Sequence, residues 1–249
     1  MVVNRREFIK IAGLATLGSS LPGNLVLAKE APQISSGTRW AMVIDVKKCL
    51  ANNIFETCMK VCRETHNVPS ISDPKHEIKW IWTEHFEHTF HEQKHDFINR
   101  ELQHQNVFVL CNHCDNPPCV RVCPTQATWG RDDGIVMMDQ HRCIGCRYCI
   151  AACPYGSRSF NYKDPRLFLK TQNPEYPTRT LGVVEKCTFC AERLAKNLQP
   201  ACVEACQDGE LVFGNLNDPQ SKVRALLQKH FTLRRKPSLG TNPEIYYIV

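Results

Sequence analysis

The sequence predicts an α+β fold in which one short unit, strand then cysteine loop then short helix then strand, occurs four times. Three observations predict it. The 249 residues include 15 cysteines, and these fall into four groups. Each group follows an apolar or alternating stretch: Trp40 to Val46 before Cys49, Val107 to Leu110 before Cys111, Ile135 to Met138 before Cys143, and Leu181 to Glu185 before Cys187. Short strands or turns follow at Ala127 to Trp129 and at Ser159 to Tyr162.

The two central groups set the chemistry. Cys143, Cys146 and Cys149 follow a C-x2-C-x2-C spacing, and Cys153 stands directly before Pro154. That is the bacterial iron–sulfur run, in which three thiolates on one tight loop occupy three corners of an iron–sulfide cube and the fourth points to another cube. Cys111, Cys114, Cys119 and Cys123 repeat the plan, with Pro117 and Pro118 lengthening its middle. Exchange of the last cysteines pairs Cys111, Cys114 and Cys119 with Cys153, and Cys143, Cys146 and Cys149 with Cys123, predicting two adjacent [4Fe-4S] centres.

The flanking groups follow the same rule with departures. Cys187 and Cys190 are separated from Cys202 and Cys206 by AERLAKNLQPA, which reads as a helical insertion. The first group has Cys49, Cys58 and Cys62 only, with Asn52 where a C-x2-C pair would place another thiol. Exchange predicts a third [4Fe-4S] centre on Cys62, Cys187, Cys190 and Cys202, and leaves Cys49, Cys58 and Cys206 for an odd one. Three thiolates suit a [3Fe-4S] centre, or a [4Fe-4S] centre with an oxygen ligand such as Glu56, Asn52 or water. A site with no cluster is the remaining alternative. Disulfides or structural zinc are the rival readings of so many cysteines, but groups of three at two-residue intervals, closed by Cys-Pro, favour clusters.

Along the chain, residues 1–28 have the parts of an export signal: the Arg5-Arg6 pair, a short apolar run, and Val26-Leu27-Ala28. The pair, with Phe8 and Lys10, resembles a twin-arginine signal, departing from it at Asn4 and Ile9. Such a signal implies export of the folded, cluster-loaded chain. An ordinary secretory signal or an amphipathic helix is the alternative. Residues 29–106 hold the first cysteine group and an insertion containing His85, His88, His91 and His95 at near-helical spacing. These could make a metal or haem site, but no Cys or carboxylate pattern completes one, so the segment reads as a polar, partner-facing insertion.

Residues 107–165 form the central unit. Residues 166–217, entered through a loop marked by Pro165, Pro174 and Pro177, complete the outer unit with the fourth group. In residues 218–249, Asp218-Pro219 is expected to open a helix bearing Val223, Leu226 and Leu227. The ending IYYIV is either core or a partner contact, with core the favoured reading. The formal charge of +6 does not imply nucleic acid, because four cluster cores with their thiolates would bring roughly −8.

Two such repeats make a unit similar to the two-cluster bacterial ferredoxins, so two interlocked ferredoxin-like modules with loop insertions are expected. With four groups, the chain resembles the four-cluster electron-transfer subunits of the DMSO-reductase B type. The segments NVPSISDPKHEIKWIW, CNHCDNPPCVRVCPTQATW and CIGCRYCIAACPYGSRSFNY are more narrowly similar to the DsrO-type periplasmic iron–sulfur subunits of the DsrMKJOP (Hme-like) membrane complexes. The resemblance implies a non-catalytic relay of single electrons at the outer membrane face, within sulfur metabolism and sulfate respiration. Its implied partners are an NrfD-type polytopic, menaquinone-reactive membrane subunit, a multihaem cytochrome c and other Dsr-type subunits. A subunit of this type serving a molybdopterin, tetrathionate or nitrite reductase or a periplasmic hydrogenase is the alternative. An enzyme using the odd cluster's open corner is a further rival, against which the sequence offers no accompanying acid–base pair. Asn112, His113 and the backbone around Gly145 are the candidate tuners of cluster potential.

Overall fold

The computed structural model describes residues 37–93, 95, 97 and 100–249. The expected export signal, with Arg5 and Arg6, lies outside the described residues. The strands are β1 (Trp40–Asp45), β2 (Ile81–His85), β3 (Asn106–Leu110), β4 (Thr128–Gly130), β5 (Val136–Met138), β6 (Ser159–Phe160), β7 (Val184–Glu185), β8 (Leu211–Asn215), β9 (Thr232–Leu233) and β10 (Ile245–Ile248). Short helices follow the cysteine loops, at Phe55–His66, Pro118–Arg121, Tyr148–Ala152, Ala191–Leu194 and Ala201–Glu204.

Four strands form one sheet in the order β8-β1-β10-β9, with β1 parallel to β10 and antiparallel to β8. The C-terminal IYYIV segment is therefore core, with Ile245 and Tyr247 fully buried. Being central, β1 is covered on both faces, so alternate residues meet two different apolar layers rather than core and water. Met42 and Ile44 join the main core, whereas Ala41 and Val43 pack with Val223 and Ile248.

The remaining strands pair antiparallel, β2 with β3, β4 with β5 and β6 with β7. Four pairings link the strand after one cysteine group to the strand before another: β2 with β3, β4 with β5, β6 with β7, and β8 with β1. Glu185 ties the long connections to these strands. It accepts from Trp80 Nε1 at 3.0 Å and from Asn161 Nδ2 at 2.5 Å, and it pairs with Arg179 at 2.7 Å, all fully or nearly buried. A buried charge so completely partnered fixes geometry more than it adds stability.

Three local expectations are corrected. The AERLAKNLQPA segment is helical only at Ala191–Leu194, because Asn197 is left-handed (φ 58°) and Pro200 caps a separate turn, Ala201–Glu204, that carries Cys202. The last helix is Lys222–Lys229, capped by the Ser221 hydroxyl, which accepts from Arg224 N at 3.2 Å. Asp218 instead makes a turn, accepting from Gln220 N at 2.9 Å, so Pro219 precedes the helix. The histidines do not share a helical face. His85 ends β2, His88 lies in Phe86–Thr89 and His91 opens a 3-10 turn. His85 Nδ1 meets His104 O at 2.8 Å and His88 Nδ1 meets Glu84 Oε1 at 3.2 Å. His95 Nδ1 accepts from Phe97 N at 3.2 Å.

Candidate metal centres

The fifteen thiols are all free and fall into four sites. At site I, Cys111, Cys114, Cys119 and Cys153 line one cavity, closed by Pro117, Pro118 and Arg158. At site II, Cys123, Cys143, Cys146 and Cys149 line another, with Ile144 and Gly145. Cys62, Cys187, Cys190 and Cys202 form site III, buried close enough that each neighbour's charge helps hold the Cys190 thiol up, after burial itself. Site IV has Cys49, Cys58 and Cys206, with 3.0 Å between the sulfurs of Cys58 and Cys206. A surface groove lined by Glu56, Lys60, Arg63, Phe168 and Lys170 contains no cysteine.

A shared backbone device shapes three of the four loops. The residue before the second cysteine of each C-x2-C pair is left-handed: His113 (φ 42°), Gly145 (φ 70°) and Phe189 (φ 54°). This curls the loop so that its thiols converge. Only Gly145 is a glycine, because a Cβ there would stand 2.4 Å from Gly182 O. The other two left-handed residues stack on each other, with the His113 and Phe189 rings 3.7 Å apart at 18°. His113 Nδ1 accepts from Val136 N at 3.1 Å, and burial, with Lys186 and Arg158 nearby, holds this histidine neutral.

The first cysteine loop lacks the device. Cys49 sits in helix Val46–Ala51, and Asn52 caps that helix at its C-terminus. The Asn52 side chain donates to Asp208 Oδ2 at 3.1 Å and Glu210 Oε1 at 2.8 Å, so its amide is drawn to carboxylates. Glu56 is also turned away. Cys58 and Cys62 lie on the buried face of Phe55–His66, whereas Glu56 is exposed and pairs with Arg63 at 3.7 Å. Two positions apart on a helix, Glu56 and Cys58 face nearly opposite directions.

The buried thiols sit unfavourably as anions. Burial, with Cys111 adding to it, pushes Cys114 and Cys187 up to about 12. Burial first, then Cys206, Glu210 and Asp45, raises Cys49 well above the ordinary thiol range. Iron would compensate each thiolate directly. Several neighbours suit a cluster. The amides of Phe189 and Ala201 point at Cys187 and Cys190 Sγ, each at 3.4 Å, and both side-chain polar atoms of Asn112 are buried without a protein partner. Donors left over beside sulfur fit a centre that presents sulfide acceptors.

Sequence reasoning missed Arg158, Lys186 and His66. Arg158, 4% exposed, donates to Cys119 Sγ at 3.0 Å. The fully buried Lys186 donates to Val136 O and Cys187 O. His66 lies beside site III, its Nδ1 3.0 Å from Cys62 O and its Nε2 2.9 Å from Glu192 Oε1. His66 ends a helix, Arg158 precedes β6 and Lys186 follows β7, positions that carry no signal of burial in the cysteine spacing.

Repeated strand–loop–helix units that gather thiols into neighbouring buried sites define an iron–sulfur electron-transfer protein. Models of 4Fe-4S dicluster domains match residues 104–167 and 142–211. The chain is 38% identical to the Hdr-like menaquinol oxidoreductase iron-sulfur subunit 1 of Archaeoglobus fulgidus, over 99% of this chain and 98% of that one. It is 34% identical to the B subunit of the tetrathionate reductase of Salmonella typhimurium, over 98% and 88%. It is 35% identical to protein NrfC of Escherichia coli, over 100% and 96%. The chain belongs to this family of iron–sulfur subunits, which bind multiple clusters, relay electrons and are not themselves catalytic.

Proposed function

We propose that this chain is the four-centre electron relay of a Dsr-type (Hme-like) respiratory complex, built as two interlocked ferredoxin-like modules. Sites I, II and III each hold a [4Fe-4S] cluster on four cysteines. Site IV holds the odd centre on Cys49, Cys58 and Cys206, and the commitments of Asn52 and Glu56 favour a [3Fe-4S] form over a four-iron form with a side-chain oxygen ligand. Bound clusters supply one-electron acceptance and release. The polypeptide's part is to hold thiols, exclude water and set neighbouring charges.

The observation that carries this reading is the continuity of the sites. The charge of Cys111 of site I acts on Cys187 of site III, and Cys58 Sγ of site IV lies 3.5 Å from the backbone oxygen of Cys202 of site III. Arg158 faces thiols of both site I and site II. At one end, Cys146 is the exposed cysteine among the fifteen, flanked by exposed Ile144 and Tyr148, so site II is where an outside redox partner comes nearest. A twin-arginine signal would deliver the loaded chain to the outer face of the membrane. There it would relay electrons between an NrfD-type quinone-reactive subunit and a multihaem cytochrome c.

The full-length similarity to an Hdr-like menaquinol oxidoreductase iron–sulfur subunit supports this assignment. The similarity to the tetrathionate reductase chain supports the second reading, a molybdopterin-linked complex. Gentle solubilisation and affinity purification of the tagged native chain separates them. A polytopic membrane protein and a c-type cytochrome are expected to co-purify, and a molybdopterin or nickel protein in their place would contradict the proposal.

A further inference from the structure

Arg158 is almost wholly buried, yet it appears in none of the ion pairs with a carboxylate among the described residues. Its polar contacts are to Cys119 Sγ at 3.0 Å, Thr128 Oγ1 at 2.8 Å and Met138 Sδ at 3.5 Å. Of the two other buried arginines, Arg179 meets a carboxylate at 2.7 Å in Glu185, whereas Arg235 lies over the Tyr155 ring at 5.3 Å. A guanidinium cannot shed its proton to escape burial, so a dry pocket must supply an opposite charge. Here the candidates are sulfurs from two sites.

Arg158 lines the site I cavity. It also reaches the wall of site II: Met138, whose Sδ its Nη1 meets at 3.5 Å, lines that cavity together with Cys149. Thr128 and Met138, which hold the guanidinium, are register partners across β4 and β5, so the strand pair fixes Arg158 between the two sites.

We propose that Arg158 is the shared counter-charge of the two central sites, and that it raises the one-electron reduction potentials of both clusters together. The inference rests on sites I and II holding clusters. Reduction adds one negative charge to a centre, and a fixed buried cation bonded to a ligating sulfur favours that reduced state. Because the same cation serves both centres, its charge moves both potentials in the same direction. Arg158 acts through the thiolates and is a potential-setting residue, not a catalytic one.

The test is a redox titration followed by EPR on purified complexes carrying wild-type chain, Arg158→Gln, Arg158→Met or Arg158→Lys, each with its iron counted. In the neutral variants the one-electron equilibria of both central clusters are expected to shift at least tenfold toward the oxidised form, about 59 mV for one electron. The larger shift belongs to the site I cluster, which bonds Arg158 through Cys119. Arg158→Lys is expected to recover most of the shift, and the outer centres are expected to keep their potentials. Neutral variants with full iron and unchanged potentials would overturn the proposal. Loss of iron from both neutral variants would overturn it too, making Arg158 an assembly residue. Wild-type chain without iron at the central sites would instead sink the reading on which the inference rests.

Discussion

Site II and site IV grow from the same repeat yet are finished differently. At site II a left-handed Gly145 curls the loop, a buried guanidinium serves as counter-charge, and Cys146 reaches the surface. At site IV the corresponding stretch is helical through Ala51, and the nearby charges acting on Cys49 are the carboxylates of Glu210 and Asp45. A curled loop gives room for four thiols and a cation beside them. A helix places one thiol and turns the next position toward carboxylates. The difference lies in a few backbone angles, and it separates a regular, cationic, outward-facing site from an irregular, acidic, enclosed one.

Removing the iron should expose this difference most strongly. The small core at the central unit consists of Cys119, Ala127, Val136, Met138, Cys149 and Val184, so two of its six buried residues are expected ligands. Chelation under reducing conditions is expected to abolish hydrogen-exchange protection at β4 and β5 while β1, β8 and β10 retain theirs. Uniform loss across both regions would break the comparison. In the stripped protein, folded thiols such as Cys49 keep their protons to higher pH than unfolded ones. The unfolded state then binds fewer protons, so stability is expected to fall as pH rises past the ordinary thiol value of about 8.5, a trend that denaturant melts would report.

Next in size is Glu185→Gln. Leaving Arg179 buried without its partner is expected to cost about 3–5 kcal/mol, measured as a lower denaturation midpoint of the holoprotein, because Glu185 serves the connections to both regions. Gly145→Ala should cost less, on the order of 1–3 kcal/mol for the left-handed strain, plus the contact with Gly182 O. Its iron content is expected to fall at site II alone. An unchanged iron count and midpoint would show that the curl is dispensable. The smallest effect is expected from Asn52→Cys. Held at a helix end and drawn toward Asp208 and Glu210, position 52 is not expected to add an iron to the odd centre. A gain of one iron per chain would place site IV on the same plan as site II.

Much of this was legible in the residues themselves. The apolar stretches before each cysteine group lie at or within two or three residues of the observed strands. The cysteine spacing could not reveal conformation within the loops, because His113 and Phe189 adopt left-handed backbone against their own preference, held by stacking on each other. Nor could it reveal burial of charge. Arg158 and Lys186 read as ordinary surface cations until the fold encloses them. The near-helical spacing of the histidines arises without a shared helix, since a strand end followed by single turns can imitate it.

The central claim is that these thiols hold separate iron–sulfide centres close enough to pass single electrons. Stepwise reductive titration of the purified native complex, followed by EPR with iron and sulfide counted per chain, tests it most directly. Four one-electron centres are expected, with magnetic coupling between the sites I and II pair and a distinct signal from the odd centre. A preparation lacking iron and sulfide, with zinc or sulfur–sulfur bridges in their place, would contradict the claim.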